Sequence, residues 1–124
     1  MQNVWKSLED KGYTIVDLGR PAIFLIPSKK LEWSMGEITV EEDLHRFLVK
    51  HFAAYTSALI PSFGIWKNSD EVTIRDECRQ YEVSFVGKER IPILLAKIAA
   101  VAKFIQENCI YVKAGQYSCL VYPN

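Results

Sequence analysis

The densest chemistry in the chain lies in eight consecutive residues, Arg75, Asp76, Glu77, Cys78, Arg79, Gln80, Tyr81 and Glu82. Guanidinium, carboxylate, thiol and phenol groups there fall within one strand length. Alternation along a strand puts Arg75, Glu77 and Arg79 on one face and Asp76, Cys78, Gln80 and Glu82 on the other. Neither face is apolar, although a half-buried strand needs one that is. An arginine fork grips carboxylates and phosphates bidentately and stacks on planar rings. Trp66, Arg75, Asp76, Glu77, Arg79 and Tyr81 therefore form a candidate ligand-binding set for an anionic or planar molecule. The competing reading is an ion-paired edge strand whose charges discourage sheet-to-sheet association.

Other reactive groups are sparse. Cys78 becomes a nucleophile only if Arg75 or Arg79 stabilises its thiolate, and no base is spaced to serve it. His45 and His51 are six positions apart, on nearly opposite sides of a helix, so they cannot share a metal. His51 falls on an apolar stripe and reads as a core residue, whereas His45 beside Glu41 and Glu42 reads as solvated. Gly87 and Lys88 precede a helix, but no Walker-type GxxxxGK, GxGxxG or GxSxG motif is present. No catalytic residue, metal or cofactor is assigned.

Aromatic residues are plentiful: three Trp, six Tyr and six Phe make up 12% of the chain. A sheet covered by helices on one face leaves the other open, and Trp66, Tyr81, Tyr111 and Tyr117 are the candidates for that open face. Tyr111 and Tyr117 form the candidate interaction surface. With an aromatic surface and no catalytic set, the leading expectation is a non-enzymatic binding or protein-interaction domain, acting on itself or on a protein partner. The alternative is a small-molecule binding protein or enzyme whose pocket surrounds Arg75 to Glu82.

The elements that must position these groups follow from periodicity. Thr39 and Glu42 have capping-box spacing, and Glu41, Glu42 and Asp43 suit the positive end of a helix dipole. Leu44, Phe47, Leu48, His51, Phe52 and Tyr55 continue a helical stripe through about Tyr55. Pro92 opens a second helix to about Asn108, burying Leu94, Leu95, Ile98, Val101, Ala102 and Ile105. Strands are expected at 13–18, 22–26, 63–67, 72–86, 110–113 and 116–122. The fourth changes phase between Val72, Ile74 and Tyr81, Val83, Phe85, which demands an irregularity between Arg75 and Gln80. A turn at Ser69 and Asp70 sets Ile65 opposite Ile74, and Ala114 with Gly115 turns the last hairpin. A short helix is expected over Asn3 to Lys11.

From Ala22 onward the order is that of a ferredoxin-like α+β fold (βαββαβ), an antiparallel sheet with two helices on one face. One domain is expected over 1–124, with 22–122 as the core and 1–21 as an added helix and strand. Fifteen basic residues balance fifteen acidic ones, which disfavours nucleic acid. Cys78, Cys109 and Cys119 form no CxxC pair, so reduced thiols in the cytoplasm are expected. The apolar runs are too short to span a membrane, and Met1, Gln2 and Asn3 supply no basic start to a signal peptide.

Overall fold

The structure, a computed structural model, describes residues 5–52, 54–67 and 73–124, without the side chains of 6, 61–67 and 73–76. The expected turn at Ser69 and Asp70 lies outside the described residues.

Capping chemistry starts the first helix where the sequence places it. The Thr39 hydroxyl accepts the Glu42 backbone N–H at 3.1 Å, and α1 runs Val40–His51. Val40, Leu44 and Leu48, four residues apart, are its buried residues. Each buried leucine contributes about 2 kcal/mol of transfer free energy. The expected continuation to Tyr55 is corrected: Phe52 turns extended (φ −128°, ψ 149°) and is itself buried, and Tyr55 belongs to a strand. The second helix, α2, covers Arg90–Phe104. It stops short of Asn108 because Gln106 adopts φ 60° and Glu107 donates back to the Ala102 carbonyl at 2.9 Å.

The strands are β1 (Arg20–Pro27), β2 (Ser34–Met35), β3 (Ile38–Thr39), β4 (Ala54–Lys67), β5 (Thr73–Phe85), β6 (Ile110–Ala114) and β7 (Tyr117–Val121). Five form one antiparallel sheet in the order β4-β5-β1-β6-β7, and β2 pairs with β3 in a small hairpin. The protein is thus α+β, with a five-stranded antiparallel sheet and two helices. Ala22, Phe24 and Ile26 of β1, Tyr81, Val83 and Phe85 of β5, and Ile110 and Val112 of β6 share one buried cluster with the apolar sides of both helices. Ile23, paired with Glu82 on one side and Lys113 on the other, faces away from the helices.

The irregularity foreseen in β5 lies across from it. Leu59 pairs with Arg79 and Phe63 with Glu77, so residues 60–62 of β4 stand against Cys78 alone. Pro61, which lacks a backbone N–H, falls within those three residues. Burial in β5 changes parity there too, from Tyr81, Val83 and Phe85 to Cys78. Beyond it Ile65 pairs with Arg75 and Trp66 with Ile74, one residue away from the expected register. The last turn is corrected by one residue as well: Ala114 ends β6, and Gly115 (φ 62°) and Gln116 make the turn.

The N-terminal expectations are corrected. Among the described residues before β1 there is one 3-10 turn, Lys6–Leu8, and the segment 14–19 is not a strand. Acidic side chains take backbone donors in and beside it. Glu9 accepts from the Ile15 N–H at 3.0 Å, Asp10 from Gly12 at 3.1 Å, and Asp17 from Gly19 at 2.9 Å.

Candidate functional site

The first turn of α1 crosses the helix-side face of β4 and β5 and leaves a pocket of about 380 Å³ between them. Glu41, Glu42 and His45 reach it from α1, Thr39 from the cap, Tyr55 and Ser57 from β4, and Tyr81 from β5. Register explains the β contribution. Ser57 stands opposite Tyr81, and Tyr55 lies two residues from Ser57, so all three share the face that α1 covers.

The rings form a connected series from core to surface. Tyr81 stacks on Phe24 (centroids 5.1 Å, planes 6° apart), Tyr55 lies 6.3 Å from Tyr81, and His45 meets Tyr55 edge-on at 5.7 Å. His45 Nδ1 and the Tyr55 hydroxyl are also hydrogen-bonded. Behind the lining, Arg79 Nη1 donates to Glu41 Oε1 at 2.9 Å, with the two side chains 27% and 46% exposed. Arg79 Nε is buried and has no hydrogen-bond partner among the described residues.

The phenols register the field of this wall. Burial raises the Tyr55 pKa above 10.0, and Glu41 and then Glu42 raise it further. Tyr81 is pushed up to about 12, chiefly by burial, with Arg79 opposing and Glu41 and Tyr55 adding. Both phenols are therefore neutral donors at physiological pH, beside two carboxylates that are each paired to an arginine, Glu41 to Arg79 and the partly exposed Glu42 to Arg46 at 3.0 Å. Such a lining suits a ligand that combines a planar ring with positive charge.

The residues singled out from sequence divide. Tyr81 lines the pocket, and Arg79 is joined to it through the ion pair with Glu41. Glu77 is exposed and pairs with Phe63, beyond the irregularity. Trp66, Arg75 and Asp76 have strand positions, but their side chains lie outside the described ones. Tyr81, expected on the open face, is 2% exposed and belongs to the core. Tyr111 and Tyr117 are not brought together. Tyr117 pairs with Ala114 and lines an apolar recess of about 110 Å³ with Ala22, Phe85 and Leu94, whereas Tyr111 has the opposite parity to buried Ile110 and Val112. His45 and Tyr55 escaped the sequence reading because one looked like a solvated helix residue and the other like the end of the α1 stripe. The carboxylates Glu41 and Glu42 were visible only as helix-dipole partners.

Cys78 and Cys109 are buried and Cys119 is exposed, all outside disulfides. Among the described residues no group of three or more His, Cys, Asp or Glu side chains is placed to hold a metal ion, and no helix is long and apolar enough to cross a membrane.

No protein-family model matches the chain, and no curated protein matches it in sequence. Among solved structures it is similar to a phage SAM lyase in complex with S-methyl-5'-thioadenosine. The TM-score is 0.57 at 9% identity, covering 89% of this chain and 94% of that one. At that identity the likeness establishes a shared fold. It also corrects the expectation of a non-enzymatic interaction domain, because the neighbour is an enzyme holding a small nucleoside ligand. The expected aromatic surface is divided between the core and the two sheet faces, and the small-molecule alternative is the better supported.

Proposed function

We propose that this chain is a small-molecule enzyme that binds an S-adenosylmethionine-type sulfonium nucleoside between α1 and the β4–β5 hairpin and cleaves it to a thioadenosine. The observation that carries this reading is the meeting of the Tyr55 and Tyr81 rings with the Glu41 and Glu42 carboxylates in one pocket. The Tyr55 ring suits an adenine, with Tyr81 as the floor beneath it, and the carboxylates suit a sulfonium. The fold likeness to a SAM lyase bound to a thioadenosine supports it over nearly the full length of both chains.

The chemistry needs little from the protein. A thioadenosine keeps the methyl and the 5' carbon on sulfur, so the bond that breaks joins sulfur to the amino-acid arm; its electron pair returns to sulfur while the arm's own carboxylate oxygen bonds to the carbon that sulfur leaves, closing a lactone. The leaving group needs no acid. Because the positive charge vanishes as the bond breaks, Glu41 and Glu42 hold the substrate more tightly than the product and favour release of the neutral thioether. Acceleration comes from fixing the arm in a reactive conformation.

The test is incubation of the protein with S-adenosylmethionine and chromatographic detection of 5'-methylthioadenosine. Enzyme-dependent accumulation of the thioadenosine is expected, and a rate no greater than that of buffer overturns the reading.

We read the frame of this site as a ferredoxin-like core in one domain, with 22–122 as the core and 1–21 appended. The order β4-β5-β1-β6 with two crossover helices supports that reading, β7 extending the sheet. The cysteines, none of them in a disulfide, support a cytoplasmic setting.

A further inference from the structure

The Arg79–Glu41 ion pair holds opposite charges 2.9 Å apart, with Glu41 lining the pocket and Arg79 lying behind it, and among the described residues Arg79 keeps one buried donor, Nε, without a partner. An orphaned guanidinium N–H is a costly thing to leave in a folded protein. The pair itself is cheap to open, since partly exposed ion pairs contribute little to stability. Geometry also limits what replaces it. A ligand carrying one charge leaves either Arg79 or Glu41 unmatched, whereas a zwitterion matches both.

We infer that Arg79 and Glu41 together form the specificity device for a zwitterionic α-amino acid arm, the ligand's carboxylate replacing Glu41 on Arg79 and its ammonium replacing Arg79 on Glu41. The inference rests on the proposed nucleoside site and names the part of the ligand that Arg79 reads. On opening, the guanidinium offers Nε and a terminal nitrogen as a side-on fork, the arrangement that binds a carboxylate bidentately. Total charge at the wall is unchanged by the exchange, so no charge is left buried and uncompensated. Arg79 acts here by touching the ligand's arm. The ring of Tyr55 holds the base independently of it.

Three uncleavable probes separate the parts: 5'-methylthioadenosine, which has no amino acid arm; S-adenosylhomocysteine, which has the whole arm; and its decarboxylated analogue, which keeps the ammonium alone. Titration calorimetry on the full chain is expected to rank S-adenosylhomocysteine about tenfold or more tighter than the other two, the range expected for a charge-assisted fork. Arg79→Gln is expected to abolish that preference, and Arg79→Lys, which keeps the charge without the fork, to restore only part of it. Binding of 5'-methylthioadenosine by each variant reports that the nucleoside pocket is still folded. If the parent protein binds 5'-methylthioadenosine but the arm adds nothing, or if Arg79→Gln weakens all three probes equally, the arm reading falls and the nucleoside reading stands. If the parent binds none of the three, both fall.

Discussion

Tyr81 stacks on Phe24 with ring planes 6° apart and centroids at 5.1 Å, so the inner end of the candidate pocket is continuous with the hydrophobic core. Phe24 is wholly buried and Tyr81 is 2% exposed. A pocket floor built this way is held rigid by the same packing that holds the sheet together.

That placement has a consequence at high pH. The unfolded phenol has a pKa of 10.0 and the folded one about 12, so between those values the folded state keeps a proton that the unfolded state has lost. The stabilisation is present below about pH 10 and is lost as pH rises towards 12, at no more than about 1.4 kcal/mol per pH unit. Tyr81→Phe keeps the stack, and is expected to flatten this alkaline decline in denaturant titrations while removing the latest-titrating tyrosine from the ultraviolet tyrosinate curve. An unchanged tyrosinate curve counts against the assignment.

Gly19 has φ 89°, and a Cβ there falls 2.0 Å from the Phe85 carbonyl oxygen. Both the backbone conformation and the close approach of β5 demand glycine. Gly19→Ala is expected to cost about 2 kcal/mol or more in chemical denaturation. Gly115→Ala is the contrast, with φ 62° and nothing within 4 Å of the added carbon. It is expected to cost about 1 kcal/mol, the conformational penalty alone. Equal losses at the two sites speak against the clash.

The Thr39 hydroxyl caps α1 at the mouth of the pocket. Thr39→Ala is expected to lower stability by about 1 kcal/mol and Thr39→Ser to restore most of it, as read from thermal melts. The same loss is expected to reach ligand affinity, because the cap orients the turn that carries Glu41 and Glu42.

Glu42 tests the sign of the field without disturbing the Arg79–Glu41 pair. Glu42→Gln is expected to weaken S-adenosylmethionine several-fold, to leave neutral 5'-methylthioadenosine nearly unaffected, and to reduce the salt dependence of sulfonium binding. It is also expected to lower the Tyr55 pKa, since Glu42 is one of the charges raising it. Equal losses for the charged and neutral ligands contradict a role for its charge.

What was legible beforehand follows the range of the interactions concerned. The start of α1 is written in four residues, because Thr39 and Glu42 are hydrogen-bond neighbours along the chain. The apolar spacing of Val40, Leu44 and Leu48 likewise needs only the helical period. The end of α1 was misread because Phe52 and Tyr55 continue the apolar spacing after the backbone has become extended. The segment 13–18 has strand composition, but carboxylates close in sequence take backbone donors in and beside it.

The sequence by itself determined the α+β class, both helices, the β1 strand and the presence of a phase break near Cys78, all properties of local period and composition. The tertiary structure alone decided which charged residues make a site. Arg79 meets Glu41 across 38 positions of sequence, and Ser57 meets Tyr81 only through the β4–β5 register. Side chains alternate along a strand, so a one-residue slip would have turned Arg79 and Tyr81 away from α1. The register that prevents it is set by long-range pairing around the three residues 60–62, which no short window of sequence contains.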